Sequence, residues 1–224
     1  MFDRLISLIE NKNFEKLSNT KVLLVGIGGV GGYALEALVR SGIKNITIVD
    51  YDVIDESNLN RQIITNINNI GLSKVREASL RAKGINPNIN IETIEEKIDS
   101  DNLISIIDNN YDYVIDACDT VLVKFLLMKY KSIYGYKLIS SMGTAKKLNP
   151  EKLEITTLDK TSYDPLAKKL RSMLKKEKIS GKFVVVSSSE EIKDTGDVLG
   201  YIITVPAVAG LYLASYVINS IVNS

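Results

Sequence analysis

The sequence predicts an α/β fold of the doubly wound, Rossmann-like type, with a mostly parallel sheet and an elaborated C-terminal half. Short apolar segments alternate with helical periods over residues 21–141, which is typical of βαβ units. A glycine-rich turn joins the first apolar segment to the first helix of the series. After about residue 142 the alternation stops, and two further apolar segments flank a strongly basic stretch. The 224 residues suffice for one domain.

The first half of the chain contains the regular alternation. Residues 3–17 have an amphipathic pattern and are predicted to form a helix outside the sheet. Residues 21–26 are a continuous apolar run, as in a buried parallel strand, and residues 29–42 have helical spacing that ends on a glycine. The same patterns predict strands at 45–50, 89–98, 113–116 and 137–141, a polar loop at 51–62, and helices at about 73–83, 101–109 and 121–134.

The second half is predicted to add strands at 153–158 and 183–187. Residues 201–222 are apolar enough to span a bilayer, but Pro206, Gly210 and several polar residues interrupt them. We therefore predict a last strand at 200–205, followed by a buried core helix that Pro206 opens. The N-terminus has charges in its apolar stretch and lacks a cleavage site typical of a secretory signal. We expect a cytoplasmic protein without membrane contact.

The composition excludes several kinds of chemistry. The chain has no histidine, so a Ser-His-Asp triad, a histidine proton shuttle and histidine metal ligands are excluded. It has one cysteine, Cys118, so we expect no disulfide partner within the chain and no cysteine-based zinc site. We expect this thiol to be a small buried apolar group. The 28 basic and 27 acidic residues give a net charge of +1, which is uninformative about nucleic-acid partners.

The glycine turn predicts a phosphate-binding loop. Gly26, Gly28 and Gly31 form a G-x-G-x-x-G pattern between a strand and a helix. This pattern permits a tight turn, a close approach of the backbone to phosphate, and contact between helix and strand. Asp50, at the end of the next strand, is placed to bind ribose hydroxyls. These residues alone are compatible with an NAD-dependent dehydrogenase.

Three further charged residues favour a nucleoside triphosphate over NAD. Arg61 and Lys74 follow Asp50 and place two cations near the expected phosphates. Asp119 follows another parallel strand at the same edge of the sheet, where a carboxylate is suited to a phosphate-bound Mg²⁺. Asp116, on the strand itself, is equally compatible with a structural role and with that of a general base.

The motifs G-I-G-G-V-G, D-Y-D, S-N-L-N-R-Q, G-L-S-K and D-A-C-D, in this order over residues 21–145, resemble the ubiquitin-activating-enzyme-like adenylating family. The resemblance implies that ATP is bound by Gly26, Gly28, Gly29, Gly31, Asp50, Asp52, Asn58, Arg61, Gln62, Lys74 and Asp119, with Mg²⁺ on Asp119. It assigns the catalytic roles to Arg4, Arg61, Lys74 and Asp119. Arg4 matches a family arginine that reaches the phosphates of a partner subunit, which implies a homodimer. The family usually has an Arg-x-x-Arg pair there, and the first position is Met1 in this chain.

The second half is similar to the tRNA-modifying branch of that family, whose members dehydrate threonylcarbamoyladenosine. Sulfur-carrier activators commonly contain two Cys-x-x-Cys pairs, whereas this chain has the run K-T-S-Y-D-P-L-A at 160–167. The resemblance implies that ATP activates the threonine carboxylate as an adenylate, after which the carbamoyl arm closes a ring and AMP leaves. Ring closure is intramolecular and needs no enzyme nucleophile.

A tRNA partner is also supported by charge, because residues 160–182 contain eight basic and two acidic residues. The predicted contacts with substrate or tRNA are Gly143, Lys160, Thr161, Lys168, Lys169 and Arg171. We expect one domain over 1–224, with a helical arm at 1–20, a nucleotide-binding core at 21–145, and a substrate-binding and dimerisation part at 146–224. A solvated helix face would have the same charge pattern.

Alternative functions remain at this point. The main one is adenylation of the C-terminus of a ubiquitin-like sulfur-carrier protein, which would use the same ATP pocket. An NAD-dependent oxidoreductase would leave Arg61 and Asp119 unexplained, and a non-catalytic nucleotide-binding module would not turn over ATP. The sequence leaves open whether a cysteine desulfurase system is a further partner.

Overall fold

A computed structural model describes residues 1–193, 196 and 199–224 and confirms the predicted α/β class. The strands are β1 (Lys21–Val25), β2 (Asn45–Val49), β3 (Asn90–Ile94), β4 (Tyr113–Asp116), β5 (Lys137–Ser141), β6 (Leu153–Thr157) and β7 (Val184–Ser188). The helices are α1 (Asp3–Asn19), α2 (Gly31–Arg40), α3 (Lys74–Ile85), α4 (Leu103–Ile107), α5 (Val121–Tyr134), α6 (Pro165–Lys176) and α7 (Thr204–Val222).

The described strands form one mixed sheet in the order β3-β2-β1-β4-β5-β7-β6. Every neighbouring pair is parallel except β6 and β7, which are antiparallel. The strand order reverses between β1 and β4, because the chain winds outward from β1 to β3 and then returns to the other side of β1. Such a reversal opens a crevice at the carboxyl ends of the strands, where ligands bind in α/β sheets.

The two faces of the sheet have separate apolar cores. Successive residues of β1 alternate between them, with Val22 and Leu24 in one core and Leu23 and Val25 in the other. The first core contains residues of α1, α2, α3 and α7, and the second contains residues of α4, α5 and α6. This arrangement explains why β1 reads as a continuous apolar run, since both of its faces are covered.

The predicted strand at 200–205 is wrong. Residues 200–203 lie in a loop, and α7 already begins at Thr204. The backbone of this loop is hydrogen-bonded to residues of other loops and not to a strand. The carbonyl of Gly200 accepts from the amide of Lys146, and the carbonyl of Tyr201 accepts from the side chain of Asn60. The apolar Ile202 and Ile203 that suggested a strand are 39% and 42% exposed.

The predicted C-terminal helix is present and contributes to the first core, but it begins at Thr204 and not at Pro206. Helix α7 is long and apolar enough to cross a membrane by length and composition. Of its most apolar stretch of 18 residues, 44% is buried in the protein. It packs against α2 at Gly210, where a Cβ would lie 2.2 Å from the carbonyl oxygen of Val30. Only glycine permits this approach of the two helices.

Helix α1 lies outside the sheet, as predicted, and contacts α7. It is bent at Glu10, which has a φ of 68°. Phe14 packs against Gly42, which lies just after α2. Gly42 has a φ of +84°, in the left-handed region that favours glycine. The C-terminal end of the arm is therefore fixed to the same layer as α2 and α7.

Candidate functional site

A cavity of about 340 Å³ opens at the carboxyl ends of the parallel strands, at the reversal of strand order. The structure brings together at its walls the predicted nucleotide-binding residues Gly26, Gly28, Gly29, Asp50, Asp52, Asn58, Arg61, Gln62, Lys74 and Asp119. The predicted substrate residue Gly143 lies at the same cavity. The predicted binding roles themselves stay predictions.

The glycine turn has the geometry of a phosphate-binding loop. Gly26 has a φ of +90°, and its amide donates to the carbonyl of Val49 at 2.8 Å. A Cβ on Gly31 would lie 1.8 Å from the carbonyl oxygen of Gly26, so the helix approaches the turn as only glycine allows. Gly28 is different, because a Cβ there would have the side-chain nitrogen of Gln62 as its nearest neighbour, at 3.9 Å. The protein leaves space at Gly28 on the side of the cavity.

Asp50 is fixed at the end of β2 by two backbone amides. Its Oδ2 accepts from the amide of Ile27 at 2.7 Å, and its Oδ1 accepts from the amide of Asp52 at 2.9 Å. The first of these bonds joins the carboxylate to the glycine turn. Each carboxylate oxygen has further lone pairs, so Asp50 can still accept from ribose hydroxyls in the cavity.

The two predicted cations are held differently. Lys74 is almost fully buried, and its ammonium donates to Asp52 Oδ2 at 2.7 Å while Asp52 is about half-exposed. Arg61 donates to the carbonyl of Ser57 at 2.7 Å and to Asn60 Oδ1 at 3.0 Å. Its guanidinium lies 4.2 Å from the centre of the Tyr201 ring.

Tyr201 is a residue of the cavity that the sequence analysis missed. It lies in the loop before α7, 140 positions from Arg61 in the sequence, and lines the cavity beside that guanidinium. Burial raises the pKa of its phenol above the usual value. No motif includes Tyr201, so only the fold could place the two side chains in contact.

Asn58 and Gln62 line the wall next to Arg61. Asn58 is buried, and its Oδ1 accepts from the amide of Asp55 at 3.2 Å in the capping turn of a short 3₁₀ helix. Gln62 is buried too, and its Oε1 has no hydrogen-bond partner among the described residues. A buried amide oxygen without a partner costs free energy, so Gln62 is suited to accept from a ligand.

Asp119 is exposed and lies at the cavity mouth, after the end of β4. Among the described residues, no three His, Cys, Asp or Glu side chains form a metal cluster. A nucleotide-bound Mg²⁺ is compatible with this donor set, since it usually takes one or two protein carboxylates together with phosphate oxygens and water.

Asp116, just before Asp119, has a structural partner that the sequence analysis did not identify. Asp116 and Lys124 are both buried, and Lys124 Nζ lies 3.0 Å from Asp116 Oδ1. Cys118 packs against the second core, but it differs from the predicted buried apolar group, because the residue is half-buried and its thiol donates to Asp116 Oδ1 at 3.1 Å. Burial, and secondarily the charge of Asp116, raise the pKa of this thiol well above its usual value. Cys118 is therefore not an activated thiolate.

The predicted substrate and tRNA residues do not form one group. Gly143 donates its amide to Asp164 Oδ2 at 2.9 Å, and Asp164 Oδ1 caps α6 by accepting from the amide of Ala167. Lys160 lies in a separate shallow hollow, and Lys168 and Lys169 are exposed on α6. The capping role of Asp164 explains why an Asp-Pro pair begins the basic helix.

Two of the predicted tRNA contacts serve the protein itself. Arg171 is half-buried and donates to the carbonyl of Leu158 at 3.0 Å and to the hydroxyl of Thr161. The Thr161 hydroxyl in turn donates to the carbonyl of Leu158 at 2.8 Å. These two side chains close the loop before α6, and their predicted contact with tRNA stays a prediction. Arg4 is exposed on α1, outside the residues that line the cavity.

The fold and this cavity define an α/β protein of the Rossmann type, with a glycine-rich turn and charged side chains at one edge of the sheet. Three of these side chains are basic and four are acidic: Arg61, Lys74, Lys97, Asp50, Asp52, Glu96 and Asp119. A family model described as the ThiF family matches residues 2–224. The chain therefore belongs to the ThiF family.

Relatives of this chain include tRNA-modifying enzymes. It is 38% identical over 189 residues to tRNA threonylcarbamoyladenosine dehydratase of Bacillus subtilis, an alignment that covers 84% of this chain and 74% of the relative. A crystal structure of the Escherichia coli enzyme TcdA in complex with ATP matches with a TM-score of 0.95 at 32% identity, covering 99% of this chain and 93% of that one. Adenylyltransferase and sulfurtransferase UBA4 of Vanderwaltozyma polyspora is 39% identical over 128 residues, covering 57% of this chain and 29% of its own length.

Proposed function

We propose that this chain is an ATP-dependent tRNA threonylcarbamoyladenosine dehydratase. The observation that carries the proposal is the similarity to dehydratases over nearly the whole fold, together with a cavity lined by the glycine turn and by basic side chains that include Arg61 and Lys74. The sulfur-carrier alternative is supported less well, because the similarity to UBA4 covers only 57% of this chain.

In the proposed reaction, the carboxylate of the threonylcarbamoyl group attacks the α-phosphorus of ATP and pyrophosphate leaves. A nitrogen or oxygen of the carbamoyl arm then attacks the activated carbonyl and expels AMP, so the oxygen lost from the substrate leaves on AMP. Both reacting groups of the second step belong to one substrate. Its acceleration therefore needs orientation more than a protein nucleophile, which agrees with the neutral thiol of Cys118.

The protein's part in this reaction is to bind the nucleotide and compensate its charge. The amides of the glycine turn at the start of α2 and the side chains of Arg61 and Lys74 would contact the phosphates. Bound Mg²⁺, with Asp119 as its protein ligand, would neutralise charge that develops on the phosphate oxygens. Asp50 would orient the ribose, and Gly143 would face the substrate arm.

We also propose that Arg4 acts across a homodimer, since it lies outside the cavity of its own chain. A mixture of two inactive variants tests this, with Arg4→Ala in one chain and Lys74→Met in the other. Mixed dimers would regain one complete site and part of the activity. Failure to regain activity, in dimers shown to exchange subunits, would refute the shared site.

The proposed tRNA surface is the exposed face of α6 with Lys168 and Lys169. Replacing both with Gln should weaken tRNA binding and lower the slope of log affinity against log salt by roughly 1 to 2, as expected for two lost phosphate contacts. Lys83→Gln, which changes an exposed lysine of α3 on the opposite face of the sheet, is the control. An unchanged slope for the double variant would exclude this surface.

The deciding experiment compares AMP and pyrophosphate release with tRNA that contains or lacks threonylcarbamoyladenosine, followed by mass spectrometry of the digested nucleosides. We expect AMP release only with the modified tRNA and a nucleoside lighter by one water. AMP release stimulated by a ubiquitin-like carrier protein and not by tRNA would establish the alternative. Release without dependence on either partner would contradict both.

A further inference from the structure

Among the described residues near the cavity, Lys124 and Asp116 are the two most deeply buried charged side chains, and the proposed reaction gives Lys124 no task. It lies on α5 with 1% of its side chain exposed, and its partner Asp116 at the end of β4 has 0% exposed. The ammonium donates to Asp116 Oδ1 at 3.0 Å and to the carbonyl of Ser141 at 2.7 Å. Neither charge lines the cavity itself.

The pair connects the ends of two neighbouring strands. Asp116 is the last residue of β4 and Ser141 is the last residue of β5, and these strands are parallel neighbours in the sheet. Each strand continues into a segment that lines the cavity, with Asp119 on one and Gly143 on the other. The Lys124 ammonium therefore bridges the starting points of both segments.

Asp116 also fixes the turn that carries Asp119. Its Oδ1 accepts from the amide of Cys118 at 3.3 Å and from the Cys118 thiol at 3.1 Å. This turn lies directly against the phosphate loop, because a Cβ on Gly26 would be 2.8 Å from the amide nitrogen of Cys118. A shift of the Asp116 carboxylate would thus move both the loop contact and Asp119.

Stability is a poor reason for this arrangement. Burying two charges has a desolvation cost that their attraction often fails to recover, and apolar replacements of similar volume are often neutral or stabilising. Asp116 Oδ2 has no hydrogen-bond partner among the described residues, which adds to the cost. A bridge that fixes geometry accounts for the pair better than one that stabilises the fold.

We propose that Lys124 is a positioning residue, which sets the distance between the Asp119 segment and the Gly143 segment and so aligns the metal ligand with the substrate arm. The inference rests on the proposed function and assigns to the same site a residue outside the cavity. Lys124 touches neither nucleotide nor substrate and acts through Asp116 and Ser141.

The test first establishes that the wild type forms AMP with the modified tRNA. It then compares Lys124→Met with the wild type in the same assay. We expect kcat to fall by about 100-fold, as for a misplacement of about 1 Å, and the Mg²⁺ concentration for half-maximal rate to rise several-fold. Lys137→Met, which changes an exposed lysine at the other end of β5, is the matched control and should leave both values unchanged.

Loss of folding is separated by a second variant. Asp116→Asn combined with Lys124→Met leaves no unpaired buried charge, and we expect it to melt near the wild-type temperature while the Mg²⁺ requirement stays raised. Lys124→Arg, which keeps a cation at this place, should recover part of kcat. A double variant with wild-type kcat and Mg²⁺ dependence would overturn the proposal.

The proposed function fails separately, if the wild type releases no AMP with the modified tRNA. The positioning role would then be measured by calorimetric titration of the same variants with ATP and Mg²⁺. A higher Mg²⁺ concentration needed for ATP binding in the variants supports the role, and Mg²⁺ and ATP affinities equal to those of the wild type refute it.

Discussion

Gly28→Ala separates the phosphate loop's contribution to nucleotide binding from its contribution to folding. A methyl group at Gly28 meets only the side-chain nitrogen of Gln62, at 3.9 Å, whereas at Gly31 it would lie 1.8 Å from the carbonyl oxygen of Gly26. The folded protein should therefore accept Ala at position 28. The free energy of unfolding should change by no more than about 1 kcal/mol, since Ala also reduces the entropy of the unfolded chain.

The same methyl group would occupy the side of the turn where phosphate must approach the backbone. We expect ATP affinity to fall at least 100-fold, which corresponds to about 2.7 kcal/mol. ATP at 100 times its Kd stabilises a protein by about 2.7 kcal/mol, which is roughly 5–11 °C in Tm for a chain of this size. The variant should lose nearly all of that shift and keep the Tm of the ligand-free wild type.

The assay is thermal unfolding with and without ATP and Mg²⁺ for the wild type, Gly28→Ala and Gly31→Ala. Gly31→Ala should lower the Tm without nucleotide, because its methyl group cannot fit. A wild-type ATP shift in Gly28→Ala would refute the assignment of this glycine to the phosphates. A large fall of its ligand-free Tm would refute the claim that the turn has space there.

Three further predictions concern residues around the cavity. Asp119→Asn should raise the Mg²⁺ concentration for half-maximal AMP formation about tenfold or more, and an unchanged value would remove Asp119 as the metal ligand. Tyr201→Phe should keep the ring against Arg61 and the KM for ATP, whereas Tyr201→Leu should raise that KM several-fold; equal effects would exclude the ring contact. The Cys118 thiol should resist iodoacetamide at pH 8 until the protein unfolds, because burial raises its pKa. The pKa of the thiol is higher in the folded than in the unfolded state. The contribution of the protonated thiol to the free energy of unfolding is therefore present below the usual thiol pKa of 9.0 and is lost as the pH rises through the folded pKa. Alkylation at the rate of a free thiol would contradict this.

Short-range patterns predicted most of the fold and the walls of the cavity. The positions of the strands along the chain followed from apolar runs and helical spacing, and Asp50, Arg61 and Lys74 followed from motifs a few residues long. These residues share one edge of the sheet because all three belong to the connection that leaves the carboxyl end of β2 and leads into α3. Local sequence is sufficient for such features, since the βαβ connection fixes where the strand ends meet.

Features that depend on distant contacts could not be predicted in this way. Tyr201 reaches Arg61 only because α7 packs on α2, and Lys124 looked like one more residue of an apolar helix. Arg171 read as part of a basic surface, but its guanidinium turns inward to the carbonyl of Leu158. The apolar run at 200–205 resembled a strand because composition does not reveal whether a strand edge is available beside it.

The contact of Gly210 with the backbone of Val30 has a consequence for how this protein can be recombined with its relatives. It joins the first helix after the phosphate loop to the last helix of the chain, so the two halves of the sequence share one packing surface. A chimera with a crossover near residue 145 would combine α2 of one parent with α7 of another. We expect such chimeras to fold only where the second parent also has glycine at this position, and a fragment of residues 1–145 to expose the apolar face of α2.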